Sequence, residues 1–192
     1  MITDKASYKE YVRSDLKAYE LKKVGIYNYF WMDMLRFQLR LRKIEYYHNV
    51  LRSSPFARIW LFFLQILNHR LGMRLGFTIP KNVFGPGLCL VHVGPVIVSP
   101  KAKVGKNCRI HPGTCIGANY GVPVIGDNVY IGPGAKLYGD ITIGNNVAIG
   151  ANAVVNTSFG DNVTIGGIPA KVISQTPSTE QGLFPPELIS PR

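Results

Sequence analysis

Four histidines, His48, His69, His92 and His111, are the side chains best suited to move a proton near neutral pH. His48 and His69 fall in a stretch patterned like helices, where packing or surface roles explain them. His92 stands in the run Leu90-Val91-His92-Val93-Gly94-Pro95, six residues before Val98 and twelve before Val104, where an aliphatic residue is expected. A neutral imidazole at that point could serve as a general base that takes a proton from a hydroxyl. His111 directly follows Ile110 and so reads as pointing outward, either into a cleft between subunits or into ordinary surface packing. Cys89, Cys108 and Cys115 form no C-x-x-C pair and read as reduced packing residues, so no metal site is expected. No G-x-x-x-x-G-K-[ST] phosphate loop occurs.

The elements that must position these histidines follow from a six-residue period. Aliphatic residues stand at Val98, Val104, Ile110 and Ile116, resume at Ile125, Ile131, Leu137, Ile143 and Ile149, and reach Val155. Glycine follows several of them directly, as at Gly105, Gly117, Gly126 and Gly132. A spacing of six cannot make one face of an α-helix and is too long for simple strand alternation. It fits a solenoid in which each hexad is a short strand and a corner, three hexads close one coil of about eighteen residues, and the aliphatic residues fill the prism. Asn145-Asn146 and Asp127-Asn128 supply corner geometry that β-branched residues resist. The period breaks between Ile116 and Ile125, where the step is nine and part of Gly117-Ala118-Asn119-Tyr120-Gly121-Val122-Pro123-Val124 is thrown out as a loop. Insertions in repeat proteins tend to gather on a binding face.

Residues 1–75 have another grammar. Long side chains dominate, glycine is scarce, and apolar residues recur three and four apart, which predicts helices, one of them opened by Pro55 and running from Phe56 to Leu75. Three regions are expected: a helical region over 1–75, a β-helix over 76–175 and a C-terminal tail over 176–192, extended or partly disordered. The formal net charge of +11 favours anionic partners. The basic residues are dispersed and no recognition motif appears, so nucleic acid is not an expected partner. The Arg-rich stretch Arg36, Arg40, Arg42 and Lys43 reads as helix packing and a solvated face, with a membrane-surface or partner-docking role, including peripheral membrane contact, as the alternative. The longest apolar run, Ile59 to Leu67, is short of the roughly twenty residues of a membrane span. The polar start suggests no signal peptide and a cytoplasmic location.

The hexads, the L-V-H-V-G-P run, the I-G-P-G-A-K-L-Y-G-D block, the I-G-A-N-A-V-V segment and the closing G-G-I-P-A-K-V-I together resemble the hexapeptide-repeat acyltransferases. A helical half before a short β-helix is similar to serine acetyltransferase and to its relatives in exopolysaccharide and capsule clusters. The resemblance implies a mainly β fold with a helical N-terminal region, a left-handed parallel β-helix, and a homotrimer. It also implies direct transfer of an acetyl group from acetyl-CoA, with His92 as the general base. Backbone N–H groups near Gly117 and Ala118 would stabilise the oxyanion. Pro133 and Ala151 would contact the pantetheine arm, and Asn156 and Lys171 would lie toward the nucleotide end.

The departures from that pattern bear on the acceptor. Serine acetyltransferases carry an aspartate directly before the catalytic histidine, where this chain has Val91. A second, orienting aspartate has its counterpart in Phe77, and the family's arginine and histidine before the repeat restarts give way to Tyr120-Gly121-Val122-Pro123. With the groups that would grip a charged amino acid absent, the expected acceptor is a carbohydrate, a sugar hydroxyl in a polysaccharide or its precursor. Serine O-acetylation and a non-catalytic β-helix scaffold are the alternatives. The orientation of His92 would fall to a backbone carbonyl or to His111 of a neighbouring subunit.

Overall fold

The computed structural model describes residues 1–118 and 120–189. Four helices come first. Helix α1 (Lys5–Ala18) opens with a capping box, in which Ser7 N–H donates to Asp4 Oδ1 at 2.7 Å and Asp4 N–H to Ser7 Oγ at 3.0 Å. Helices α2 (Ile26–Trp31) and α3 (Asp33–Asn49) follow almost without a break. Helix α4 (Pro55–Leu75) places Pro55 where its missing N–H costs nothing, and it ends at Gly76, whose φ of +80° only glycine adopts freely.

From Phe77 onward the chain winds into a three-faced solenoid. The first face stacks five short parallel strands: residues 77–78, 96–98, 114–117, 136–138 and 154–155. The second pairs 103–104, 124–125 and 142–143, extended by single bridges at Phe84 and Phe159. The third stacks 89–90, 109–110, 130–131, 148–149 and 164–167, and 170–174 then turns back antiparallel against the last of these. Leu90, Ile110, Ile131, Ile149 and Ile165 form one inward column, each no more than 1% exposed. Each such side chain contributes roughly 1.5–3 kcal/mol relative to exposure. At one corner Asn107, Asn128, Asn146 and Asn162 all hold φ between +55° and +61°. Their amides form a ladder at 2.8 Å per rung, 18 residues apart between Asn128 and Asn146 and 21 where the coil carries the inserted loop. The tail is held too: buried Ser178 donates to Asn128 O at 2.6 Å, and helix α5 (Pro186–Ile189) lies against α1. This corrects the expectation of an extended or disordered end for 176–189, while Pro191 lies outside the described residues.

The repeat register also differs at the first coil. Leu90 pairs with Ile110, so Leu90 and not His92 holds the inward aliphatic position, and the step from Leu90 to Val98 is eight residues rather than six. An imidazole inside the prism would be buried without a partner. The longer step instead carries His92 outward on a second irregular corner, besides the one at Gly117–Val124; Asn119 of that loop lies outside the described residues.

A parallel solenoid leaves a bare strand edge at each end. Helices α1 and α3 cover the first. Arg42 is fully buried and donates to Asp15 through Nε at 2.8 Å, to Glu45 at 3.0 Å, and to the carbonyls of Phe84 and Gly85 at 2.9 and 2.7 Å. Asp15 Oδ1 accepts from Gly87 and Leu88 N–H at 2.9 and 3.0 Å, and Gln38 donates to Leu88 O at 2.7 Å. Burial pushes the Arg42 pKa down, but Asp15 and Glu45 outweigh it and raise it above its ordinary value. The Arg-rich stretch divides between packing and surface: Arg42 is core, Arg36 pairs with Asp33, and Lys43 is exposed. Arg42→Met leaves two buried carboxylates without their cation, and a loss of about 3–5 kcal/mol in urea unfolding is expected, with the solenoid's first coil exchanging its amide hydrogens soonest.

Candidate active site

The corner between the third and first faces collects the chemistry. His92 to Pro95 cross it in the first coil, His111 to Gly113 in the second, Gly132 to Gly134 in the third and Gly150 to Asn152 in the fourth. Backbone bonds stack these turns: Gly113 N–H donates to Pro95 O, Gly134 to Pro112 O at 2.9 Å, and Asn152 to Pro133 O at 2.8 Å. The His92 turn is clamped on both sides by the helical half. Before it, the Tyr19 hydroxyl donates to Leu90 O at 2.9 Å and accepts from Leu90 N–H at 3.0 Å. After it, Gly94 N–H donates to Leu75 O at 3.1 Å and Val96 N–H to Gly76 O at 3.0 Å, which ties the turn to the end of α4. Gly94 has φ +141°, and a Cβ there would meet Pro112 Cβ at 2.8 Å, so the close passage of the turns requires glycine.

His92 is exposed, and its ring centroid lies 6.3 Å from that of His111 in the same chain. His111 in turn lies 5.0 Å from the Tyr130 ring. Its Nε2 is buried without a hydrogen-bond partner among the described residues. Burial, then Arg109, then His92 lower the His111 pKa, so the ring is neutral at pH 7. Neutral His111 therefore needs no neighbouring subunit to reach His92. Among the described residues no side chain hydrogen-bonds to His92, and the position where an orienting aspartate was sought holds Phe77, buried against Phe37 at 5.3 Å. An unpartnered His92 ring can turn toward a hydroxyl brought to the corner, and His111 beneath it limits how far.

Pro133 and Ala151 are exposed on this same corner, and Lys171 is exposed beside it, opposite Gly166 on the returning strand. Gly117, Ala118 and Asn156 are elsewhere: they end strands of the first face and lie on the corner toward the second. One chain thus divides the predicted residues between two corners. A cavity of about 640 Å³ lies between α3, α4 and the first coil and is lined by His69, but neither His92 nor His111 lines it. Burial pushes the Cys89 thiol up to about 11, in keeping with a packing role, and no cluster of three or more metal-ligating side chains occurs among the described residues. Sequence reading missed Arg109, Tyr130 and Tyr19. Arg109 and Tyr130 share register positions on the third face with Cys89, a signal visible only once the coils are aligned.

Residues 123–157 match the family described as bacterial transferase hexapeptide (six repeats). The fold is a left-handed hexapeptide-repeat β-helix. A serine acetyltransferase of Mycobacterium tuberculosis is 36% identical over 110 residues, which is 55% of this chain and 48% of that protein. The chain thus spans about half the length of that relative. Among solved structures, the Neisseria gonorrhoeae serine acetyltransferase in complex with serine is 26% identical with a TM-score of 0.69, covering 88% of this chain and 70% of that one. The Brucella abortus serine acetyltransferase in complex with coenzyme A is 25% identical with a TM-score of 0.70, covering 90% and 70%.

These relatives correct the expected sugar acceptor, since they are named serine acetyltransferases and one of the solved structures holds serine. The expectation leaned on absent charges at Val91, Phe77 and the Tyr120 loop. Such absences say which groups do not hold an acceptor, and Arg109, whose charge helps to lower the His111 pKa, makes no salt bridge among the described residues. Because the His111 pKa is lowered on folding, the unfolded chain binds more protons between that value and 6.5, and stability rises with pH through this window. Urea midpoints of the wild type should fall on acidification below pH 6.5 more than those of His111→Gln, and the His111 ring should titrate below 6.5 by NMR.

Proposed function

We propose that the chain is an acetyl-CoA-dependent serine O-acetyltransferase working as a homotrimer. The observation that carries the reading is the exposed His92 on a clamped turn, set edge-to-face beside a neutral His111 on the corner that also bears Pro133 and Ala151. The names of the relatives support the donor and the acceptor. His92 takes the proton of the serine hydroxyl as that oxygen attacks the thioester carbonyl. The tetrahedral oxyanion collapses with cleavage of the C–S bond, and the imidazolium returns its proton to the departing thiolate. O-acetylserine and free coenzyme A result, with no acyl-enzyme. Arg109 binds the serine carboxylate.

The division of the site supports an assembly of more than one chain, and the trimer is the arrangement that the family resemblance implies. Gly117, Ala118 and Asn156 reach the reaction only if a neighbour lays its corner between the first and second faces beside the His92 corner. Backbone N–H groups at Gly117 and Ala118 of that neighbour then meet the oxyanion. Lys171 offers a point charge to the nucleotide phosphates.

Thiol release from acetyl-CoA with L-serine, with O-acetylserine identified by mass, tests the reading. His92→Ala should lower kcat/KM by about 10²- to 10⁴-fold. Thiol release unchanged by the substitution, or none with serine, would refute it. In the same assay Arg109→Gln should raise the KM for serine and leave that for acetyl-CoA unchanged.

A further inference from the structure

Helix α4 carries apolar residues on most of its faces, yet only one side of it is covered. Leu64, Leu71 and Leu75 are buried against α3 and the first coil. Ile59, Ile66 and Met73 face away from them, Phe63 lies on the flank, and all four are exposed. Trp60 flanks this outward stripe with 61% of its surface exposed. An exposed apolar and aromatic surface of this kind marks a docking site.

The charge around the stripe selects what docks. Arg70 lies within it, and Arg58 and His69 border it; all three are exposed. From Leu21 to Lys81 the only acidic residues are Asp33 and Glu45. Asp33 is engaged by Arg36 and Arg74, and Glu45 is buried on Arg42. The face therefore presents cations with no exposed carboxylate to answer them. A second copy docking here would bring arginines against arginines, whereas an anionic bilayer surface answers both the aromatics and the charge. No helix among the described residues is long and apolar enough to cross a membrane, so α4 would lie in the plane of the interface.

We infer that the outward face of α4 docks the protein peripherally on an anionic phospholipid surface. At 21 residues and about 1.5 Å per residue the helix offers an interfacial rod of roughly 31 Å. Trp60 and the exposed Trp31 of α2 are the only tryptophans, so both report from the helical half.

Flotation of the chain with vesicles of phosphatidylcholine alone, and of phosphatidylcholine with phosphatidylglycerol, tests this independently of any acetyl transfer. At low salt, binding to the anionic vesicles should exceed binding to the neutral ones by about tenfold or more, fall sharply in about 0.5 M NaCl, and shift tryptophan emission to the blue. Phe63→Ser with Ile66→Ser, both at exposed positions, should abolish binding while circular dichroism stays unchanged, and Arg58→Glu with Arg70→Glu should weaken it on anionic vesicles. Equal flotation with both vesicle types, binding untouched by these variants, or a self-association that the serine variant removes without any vesicle binding would each overturn the inference.

Discussion

The bare edge of the first coil is the constraint from which the rest of this molecule follows. Parallel coils satisfy one another's backbone groups, but the first has no predecessor, and its carbonyls and amides at Phe84 to Leu90 need partners from elsewhere. The helical half supplies them with charged and polar side chains, since helices have no free backbone donors along their flanks. Arg42 reaches two carbonyls, Asp15 takes two amides, Gln38 takes one carbonyl, and Tyr19 takes both groups of Leu90. Such a buried network is stable only when every member is satisfied, because an isolated buried charge costs several kcal/mol. Asp15 and Glu45 therefore come with Arg42 as a unit, and the Arg42 guanidinium lies over the Tyr11 ring at 4.8 Å.

The same cap sets the position of His92. Tyr19 holds the residue two before it and the end of α4 holds the residue two after it, so the turn is fixed at both feet while the imidazole is exposed. Burial pushes the Tyr19 phenol well above its ordinary pKa, which keeps it a neutral donor and acceptor. The helices thus do for the first coil what a preceding coil does for the others, and add a rigid frame around a reactive side chain. At the far end the antiparallel strand 170–174 closes the last coil with ordinary backbone pairing.

Regularity elsewhere leaves the irregular corners conspicuous. The asparagine ladder holds one corner in the left-handed region through four coils, a conformation that asparagine tolerates and β-branched residues resist. Where the repeat runs to eight or nine residues the chain leaves the prism, once to present His92 and once in the loop after Gly117. Both excursions begin or end on the first face, at its opposite corners, so a site made from the two requires more than one chain.

The sequence by itself determined the solenoid, because a six-residue aliphatic period admits few other packings, and it determined the helical half through spacings of three and four. It also singled out His92, although for an inward position that belongs to Leu90; a six-residue period read forward from Val98 cannot register a two-residue excursion before it. Only the tertiary structure decided that Arg42 is core while Lys43 beside it is exposed, that Tyr19 and Leu75 hold the histidine turn, and that His111 reaches His92 within one chain. Each of these is a contact between segments tens of residues apart, across which local periodicity carries no information. Missing charges, too, cannot name an acceptor, since a cation can come from any strand whose outward face meets a site.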